Sequence, residues 1–550
     1  SGSIEVDLFL KGGVLYATHS EGDIKKDQTF ESLYLQPIQK AFDLKLGNRQ
    51  NLQLLVDIKS EAYSTLKQII AVLKKYPKII NNPAITIVIS GSRPKVEDYP
   101  KYPGYIKFDY QSLEGNLSPE IWDKIAMVSL NFRGSSMWNG KGRLTEEDLD
   151  RVKTVIDRAH SFGKPFRFWG APDSKTAWKA FVDLGVDFIN TDMPARSSAY
   201  LSTLHERAYT NEAHSKVYVP TYKSDQTRGP VKNVILLIGD GNGLSQISAA
   251  VLANGGETTL TQLKSIGFIK TASSDDFTTD SAAAGTALAT GQKTYNRSIG
   301  MGDNREPIMN ITEFLDKQGI LSGCITTDRM VGATPSSFYA HQLDRDDTKE
   351  IAADLLRSKL SLFVGGGSAD FDQDFGAYGI TLLNNIDAIG KNREKRVGMF
   401  LSENGVPSYL EGRGNQLADA TRNGLQFLSS KNKPFFLMVE GAKIDSYSHA
   451  NNMAGVVTEG IDFDTAITEA VAFADRTGNT LVVITADHET GGLTLPQGNL
   501  ENRMVEGDFT TDDHTATMVP IFAYGPRSHE FQGVYENNKV FHKIVKALGL

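Results

Sequence analysis

The strongest constraint on the fold is the way short apolar runs alternate with helix-like stretches in two long regions, separated by one polar tract that carries no period. From residue 3 to about 192 the runs are SIEVDLFL, LQLLVDIK, ITIVIS, IKFDYQ, MVSLNF, PFRFWG and VDFINTD. Strand-sized runs spaced by helical patterns build βα units around a parallel sheet. VLYATH reads as a hairpin partner of the first run. That leaves seven strands, where a closed (β/α)8 barrel needs eight. Residues 205–230, which open HERAYTNEAHSKVYVP, read as a linker. A second α/β region starts at 231 with KNVILLIGDGNG and continues through GCITTD, PFFLMVEG, TLVVITADHE and VPIFAYG. The expected division is therefore 1–204, 205–230 and 231–550, with both larger parts in the α/β class. At 550 residues the chain exceeds what one core normally serves.

Composition excludes several classes. No apolar run approaches the roughly 18 residues that cross a bilayer, so no transmembrane segment is expected. A formal net charge of -8 argues against general nucleic-acid binding, which needs a concentrated basic face. The single cysteine, Cys324, lies in LSGCITTD and has no partner for an intrachain disulfide, which leaves the redox compartment open. The chain opens directly on a strand, SGSIEVDLFL, without a signal peptide, and an upstream segment is expected.

In the second region the acids fall at strand ends. Asp240 closes VILLIGD, Glu440 closes FFLMVE, and Asp487 with His488 closes LVVITADH. In an open parallel sheet the carboxyl ends of the strands form one rim, where ligands bind, so these side chains should converge. Asp445 and His449 follow in EGAKIDSYSHA at i and i+4, one face of a helix, and His514 precedes another apolar run. Imidazole mixed with carboxylate suits zinc, and carboxylate with hydroxyl suits magnesium. Taken singly, each acid reads equally well as a cap or turn residue. Ser281, in TTDSAAAGTALATG, begins an alanine-rich helix; it or Asp280 can cap that helix, and its hydroxyl lies where first-turn N–H groups hold a phosphate.

Asp240 in GDGNG, Ser281 in TDSAAAGTALATG, Thr334 in GATPSSFYAH, Glu440 to His449 in VEGAKIDSYSH, Asp487 and His488 in TADHETGG and His514 in DHTA resemble, in order and local sequence, the alkaline phosphatase family. The resemblance covers about 231–550. It implies an α/β/α sandwich and a phosphomonoesterase working through Ser281. Two zinc ions are implied, one at Asp445, His449 and His514 and one at Asp240, Asp487 and His488. Magnesium is implied at Asp240, Thr334 and Glu440, with Arg345 clamping the phosphate. Two positions depart from the family: Gly332 stands where Asp or His is frequent, and Ser446 where Lys, His or Trp is. Metal preference and rate are the properties those departures touch. The rival within enzymes is a phosphodiesterase or sulfatase of the same superfamily, which generally lacks the Asp-Ser-Ala segment. A periplasmic or secreted location is implied by the same resemblance.

In SIEVDLFL the side chains alternate, so Glu5 and Asp7 share one face. On pattern alone they read as a cation site or as a wet strand surface. Glu5 and Asp7, His19, Asp57 and Lys59, Trp169 and the closing GVDFINTDMP resemble the glycerophosphodiester phosphodiesterase and phosphatidylinositol-specific phospholipase C superfamily, whose fold is a TIM barrel. The resemblance implies glycerophosphodiester substrates and a divalent ion, Ca2+ or Mg2+, although Asp57 stands where Glu is common. In that family a strand bearing a catalytic histidine precedes the Glu-x-Asp pair. This chain starts after that point, so its barrel is expected to lack the first strand and to cleave diesters poorly. A non-catalytic binding or scaffolding module is the alternative.

Overall fold

The computed structural model describes residues 2–44, 46, 51–212 and 214–550, which form two compact units, Ser1–Thr203 and Leu204–Leu550. The strands of the first unit are β1 (Ser3–Lys11), β2 (Val14–Ala17), β3 (Leu52–Ile58), β4 (Ile85–Gly91), β5 (Ile106–Tyr110), β6 (Ile125–Asn131) and β7 (Phe166–Trp169). They form one sheet in the order β2-β1-β3-β4-β5-β6-β7. From β1 to β7 every neighbour pairs in parallel, and β2 folds back antiparallel on β1 as the hairpin pattern predicts. The run VDFINTD does not form the expected regular strand. It meets β7 through a single parallel bridge, Arg167 to Phe188, and the exposed Asp187 carboxylate beside it accepts from Phe166 N and from His160.

Strand alternation sorts the first unit. Leu54, Val56 and Ile58 of β3 face the helices and join the main core, while Leu55 packs on the opposite face with Val88 and Met127. Parallel pairing sets Asp7 opposite Asp57 and Glu5 opposite Leu55, so the acids stand on that second face, above its apolar floor. Val6 and Leu8 point the other way and are buried.

The second unit adds, in chain order, β8 (Ala208–Thr210), β9 (Asn233–Gly239), β10 (Ser265–Lys270), β11 (Leu321–Arg329), β12 (Leu360–Gly366), β13 (Thr381–Leu383), β14 (Val397–Phe400), β15 (Phe435–Gly441), β16 (Thr480–Ala486), β17 (Glu489–Thr490), β18 (Thr494–Asn499), β19 (Met504–Asp508), β20 (His514–Thr515), β21 (Val519–Tyr524) and β22 (Gly533–Glu536). Its main sheet runs β13-β14-β12-β11-β15-β9-β16-β21-β10-β22, parallel as far as β16 and antiparallel on both sides of β21. The central strands are apolar throughout because helices cover both faces. Val234, Leu236 and Ile238 of β9 enter one core, and Ile235 and Leu237 enter the other. Each such side chain contributes roughly 1.5–3 kcal/mol on burial.

The tract expected to be a linker belongs to the second unit. Its first residues form a short helix and β8, which pairs with β19, and the rest is tied down singly. Tyr218 and Thr221 donate to the Asp475 carboxylate, and Tyr222 N donates to Tyr524 OH. Isolated polar anchors have no period, so the tract looks unstructured to any periodicity test. No helix among the described residues is long and apolar enough to cross a membrane.

Candidate active site

Four neighbouring strands, in the order β11-β15-β9-β16, bring their carboxyl ends together at the rim. Register does the positioning: Glu440 pairs with Ile238 on one side and Thr326 on the other, and Ala486 pairs with Gly239, so Asp240 and Asp487 emerge side by side. Asp487 Oδ1 accepts from Gly241 N at 3.1 Å and from His488 N at 2.9 Å, which leaves Oδ2 pointing into the cleft. Asp487 Oδ2, Asp240 Oδ1 and Thr334 Oγ1 are buried and have no hydrogen-bond partner. Burial and then the neighbouring carboxylates raise Asp240 well above the ordinary carboxylate range. Glu440 is pushed up to about 8 by burial and then by Asp328, with Thr326 Oγ1 donating to its Oε2.

The imidazoles are aimed by what holds their other nitrogen. His449 Nδ1 faces the Asp512 carbonyl at 2.5 Å and His514 Nδ1 faces the Thr279 carbonyl at 2.9 Å. A carbonyl accepts only, so both Nδ1 atoms carry protons and the Nε2 atoms, 3.1 Å apart, point at each other. Asp445 stands between them, 3.3 Å from His449 Nε2 and 3.6 Å from His514 Nε2. The hydrogen bond to Asp445 raises His449 to about 9. Burial and His488 lower His514. Asp445 and His449 come from one face of the helix Lys443–His449, as the i, i+4 spacing predicts. His514 arrives on β20, pinned to β17 opposite Thr490.

Ser281 opens the fully buried helix Ser281–Thr290, and Asp280 caps it by accepting from Ala283 N at 2.9 Å. The cap role therefore falls to Asp280, and the serine hydroxyl is not used for capping. Ser281 Oγ lies 3.2 Å from His488 Nε2, which is itself 3.4 Å from Asp240 Oδ1 and 3.3 Å from Asp487 Oδ2. Asp280 Oδ2 also holds Arg345 Nη1 at 3.2 Å, so the guanidinium stands beside the start of the helix.

Two donor groups thus meet at Ser281. Asp240, Asp487 and His488 offer ligand atoms within 4.8 Å of one another, and so do Asp445, His488 and His514. Orphaned buried oxygens, opposed imidazole nitrogens and mixed N/O donors fit divalent cations. Sequence reasoning missed Thr490, whose Oγ1 meets His488 Nδ1 at 3.1 Å and donates to Asp445 Oδ1 at 2.5 Å, bridging the two groups. It also missed Thr326 and Asp328. Asp328 near the end of β11 carries the same signal as its neighbours, an acid after an apolar run. Ser446 is exposed.

In the first unit Glu5, Asp7 and Asp57 also lie within 4.8 Å of one another, at a cavity of about 1110 Å³ that Trp169 helps to line. Each acid already has a basic partner: Arg167 Nη1 sits 2.7 Å from Glu5, His19 Nδ1 2.7 Å from Asp7, and Lys59 Nζ 3.0 Å from Asp57 and 3.4 Å from Asp7. Asp57 Oδ1 alone is buried without a hydrogen bond. Gly91, at φ +69°, passes so close that a Cβ there would lie 1.9 Å from that oxygen.

Residues 231–507 and 497–550 match the alkaline phosphatase family, and the short segment 165–195 matches the glycerophosphoryl diester phosphodiesterase family. Alkaline phosphatase 4 of Bacillus subtilis (strain 168) is 32% identical over 347 residues, 59% of this chain and 75% of that protein. The structure of alkaline phosphatase from the Antarctic bacterium TAB5 is similar at 43% identity and a TM-score of 0.55, over 58% of this chain and 99% of that one. A substituted form of that enzyme, with magnesium bound in its M3 site, matches at 42% identity and a TM-score of 0.56, over 59% of this chain and 99% of that one. A rim that gathers acids and imidazoles around the serine of a buried helix, in a region matched from 231 to the end, places this chain in the alkaline phosphatase family of phosphomonoester hydrolases.

Proposed function

We propose that the second unit hydrolyses phosphomonoesters through a phosphoserine at Ser281. The observation that carries this reading is the buried Ser281 hydroxyl, 3.2 Å from His488 Nε2 and set where two metal-type donor groups meet. Asp445, His449 and His514 would hold one zinc ion, Asp240, Asp487 and His488 a second, and Asp240, Thr334 and Glu440 a magnesium ion. The magnesium in the M3 site of the TAB5 relative supports the last assignment. When bound, the cations supply positive charge that eases ionisation of the serine hydroxyl and offsets charge on the phosphoryl oxygens.

The chain's own groups do the rest. Ser281 Oγ gives up its proton to solvent and bonds to phosphorus in line as the ester P–O bond breaks and the alcohol departs, taking a proton from solvent. Water then attacks phosphorus from the vacated side, the P–Oγ bond breaks, and the proton returns to the serine oxygen as inorganic phosphate leaves. Arg345, steadied by Asp280, offers a planar pair of N–H donors to two phosphate oxygens. The N–H groups opening the helix Ser281–Thr290 compensate the remaining charge. The test is Ser281→Ala. Phosphoenzyme trapped by acid quench should vanish and kcat should fall about 10³-fold or more, with zinc content unchanged. A phosphoserine that persists, or turnover at the wild-type level, overturns the assignment.

For the first unit we infer a phosphodiesterase-like barrel that releases monoesters from glycerophosphodiesters, with Ca2+ or Mg2+ at Glu5, Asp7 and Asp57 and with His19 and Lys59 beside it. One observation favours the alternative of a non-catalytic headgroup-binding module. All three acids are already matched by Arg167, Lys59 and His19, which lessens the electrostatic need for a cation. We place the protein in the periplasm or outside the cell, on its family likeness.

A further inference from the structure

Position 332 is glycine, and the backbone does not require it: Gly332 has φ −60° and ψ 159°, which any residue adopts. What fills the space of a side chain there is chiefly a carboxylate, with the Arg329 carbonyl oxygen 3.0 Å from where a Cβ would stand. A Cβ at Gly332 would lie 2.1 Å from Asp328 Oδ2 and 2.9 Å from Asp328 Cγ. The turn that links them is closed by Gly332 N donating to Arg329 O at 2.9 Å, so Asp328 folds back over the glycine at i+4. The space that a side chain at 332 would take is filled from the end of β11.

The backbone of Asp328 is tied to the Glu440 site, and its carboxylate is near enough to raise Glu440. Thr326 and Asp328 lie on one face of β11, and Thr326 Oγ1 accepts from Asp328 N at 2.8 Å while donating to Glu440 Oε2. Two residues beyond Gly332, Thr334 is 1% exposed, and its Oγ1 faces Glu440 without a hydrogen bond of good geometry or any other partner. A buried hydroxyl left unpaired beside a carboxylate marks a place where a ligand completes the bonding. Burial raises Asp328 above the ordinary carboxylate range, and Lys443, Arg329 and Arg345 offset only part of that rise.

We infer that Asp328 is a positioning residue for the cation site of Asp240, Thr334 and Glu440, standing in from position 328 for the side chain that position 332 lacks. This rests on the three-cation reading above. Magnesium demands six oxygen ligands and keeps several waters, and three protein residues leave such waters to be oriented from outside. Asp328 accepts hydrogen bonds from those waters and so favours a hydrated magnesium ion over a fourth protein ligand.

The test is calorimetric titration of MgCl2 into the zinc-loaded full chain, with magnesium and zinc content measured by elemental analysis. Asp328→Asn, close to isosteric, should weaken magnesium binding about 10–100-fold with zinc content unchanged. Gly332→Asp alone should lower the melting temperature of the second unit, because two carboxylates contend for one space. The swap Asp328→Ala with Gly332→Asp should bring magnesium affinity back toward wild type. Unchanged magnesium affinity in Asp328→Asn, or a swap no better than Asp328→Ala alone, overturns the inference. Glu440→Gln separates the two levels. If it loses magnesium while Asp328→Asn does not, only the role of Asp328 fails; if it too leaves binding unchanged, the three-cation reading fails and the inference with it.

Discussion

Removing divalent cations should make the second unit progressively less stable as pH rises, and the crowded rim gives the size of the effect. Glu440 is raised from 4.5 to about 8, by burial first and then by Asp328 and Asp487, and Asp240 is raised in the same sense. A carboxyl raised on folding binds its proton more tightly in the native state than in the unfolded chain. Its contribution is fully present below pH 4.5 and is lost as pH climbs toward 8. For Glu440 alone the loss approaches about 5 kcal/mol, at about 1.4 kcal/mol per tenfold change in proton affinity. That is a large share of the roughly 5–15 kcal/mol that holds a domain together. The loss belongs to the interacting carboxyls of Asp240 and Glu440 together rather than to one acid. The assay is guanidinium unfolding of chelated and of zinc- and magnesium-loaded protein between pH 5.5 and 9, following the transition of the second unit. Chelated protein should lose stability across that window, and loaded protein should not, because the cations offset the charge. Glu440→Gln, which mimics the protonated acid, should be more stable than wild type when chelated at pH 9 and less stable when loaded. Equal stability of the chelated wild type at pH 6 and pH 9 would refute the electrostatic reading of the rim.

Two further outcomes follow from the pairings. Arg413, fully buried, bridges Glu459 at 2.6 Å and Asp462 at 2.8 Å, so Arg413→Ala should cost about 3–5 kcal/mol in denaturant unfolding by stranding two buried acids; a loss under about 1 kcal/mol would contradict this. In the first unit, Glu5→Ala with Asp7→Ala should remove whatever weak glycerophosphodiester turnover the protein has while Ser281→Ala leaves it intact, and turnover that survives the first pair would exclude those acids from the chemistry.

Periodicity and local chemistry sufficed for the class of both units, since a run such as VILLIG is buried on both faces wherever it lies in a parallel sheet. They also singled out Asp240, Glu440, Asp487 and His488, because an acid that ends an apolar strand stands on the rim of such a sheet whatever the strand order. The helical pair Asp445 and His449 was legible for the same reason: i, i+4 geometry is local. Strand order was not legible. Only the tertiary ladder β11-β15-β9-β16 decides that these ends are neighbours, since pairing between strands up to about 250 residues apart follows from how two cores close over the sheet. The same limit hid Thr490, Thr326 and the polar anchors of residues 205–230, whose partners are distant in sequence. Gly332 read as a departure from a familiar pattern. The fold shows what fills the space beside it: the Asp328 carboxylate lies where a Cβ would stand, a contact made by a turn and not by any pattern of residue types.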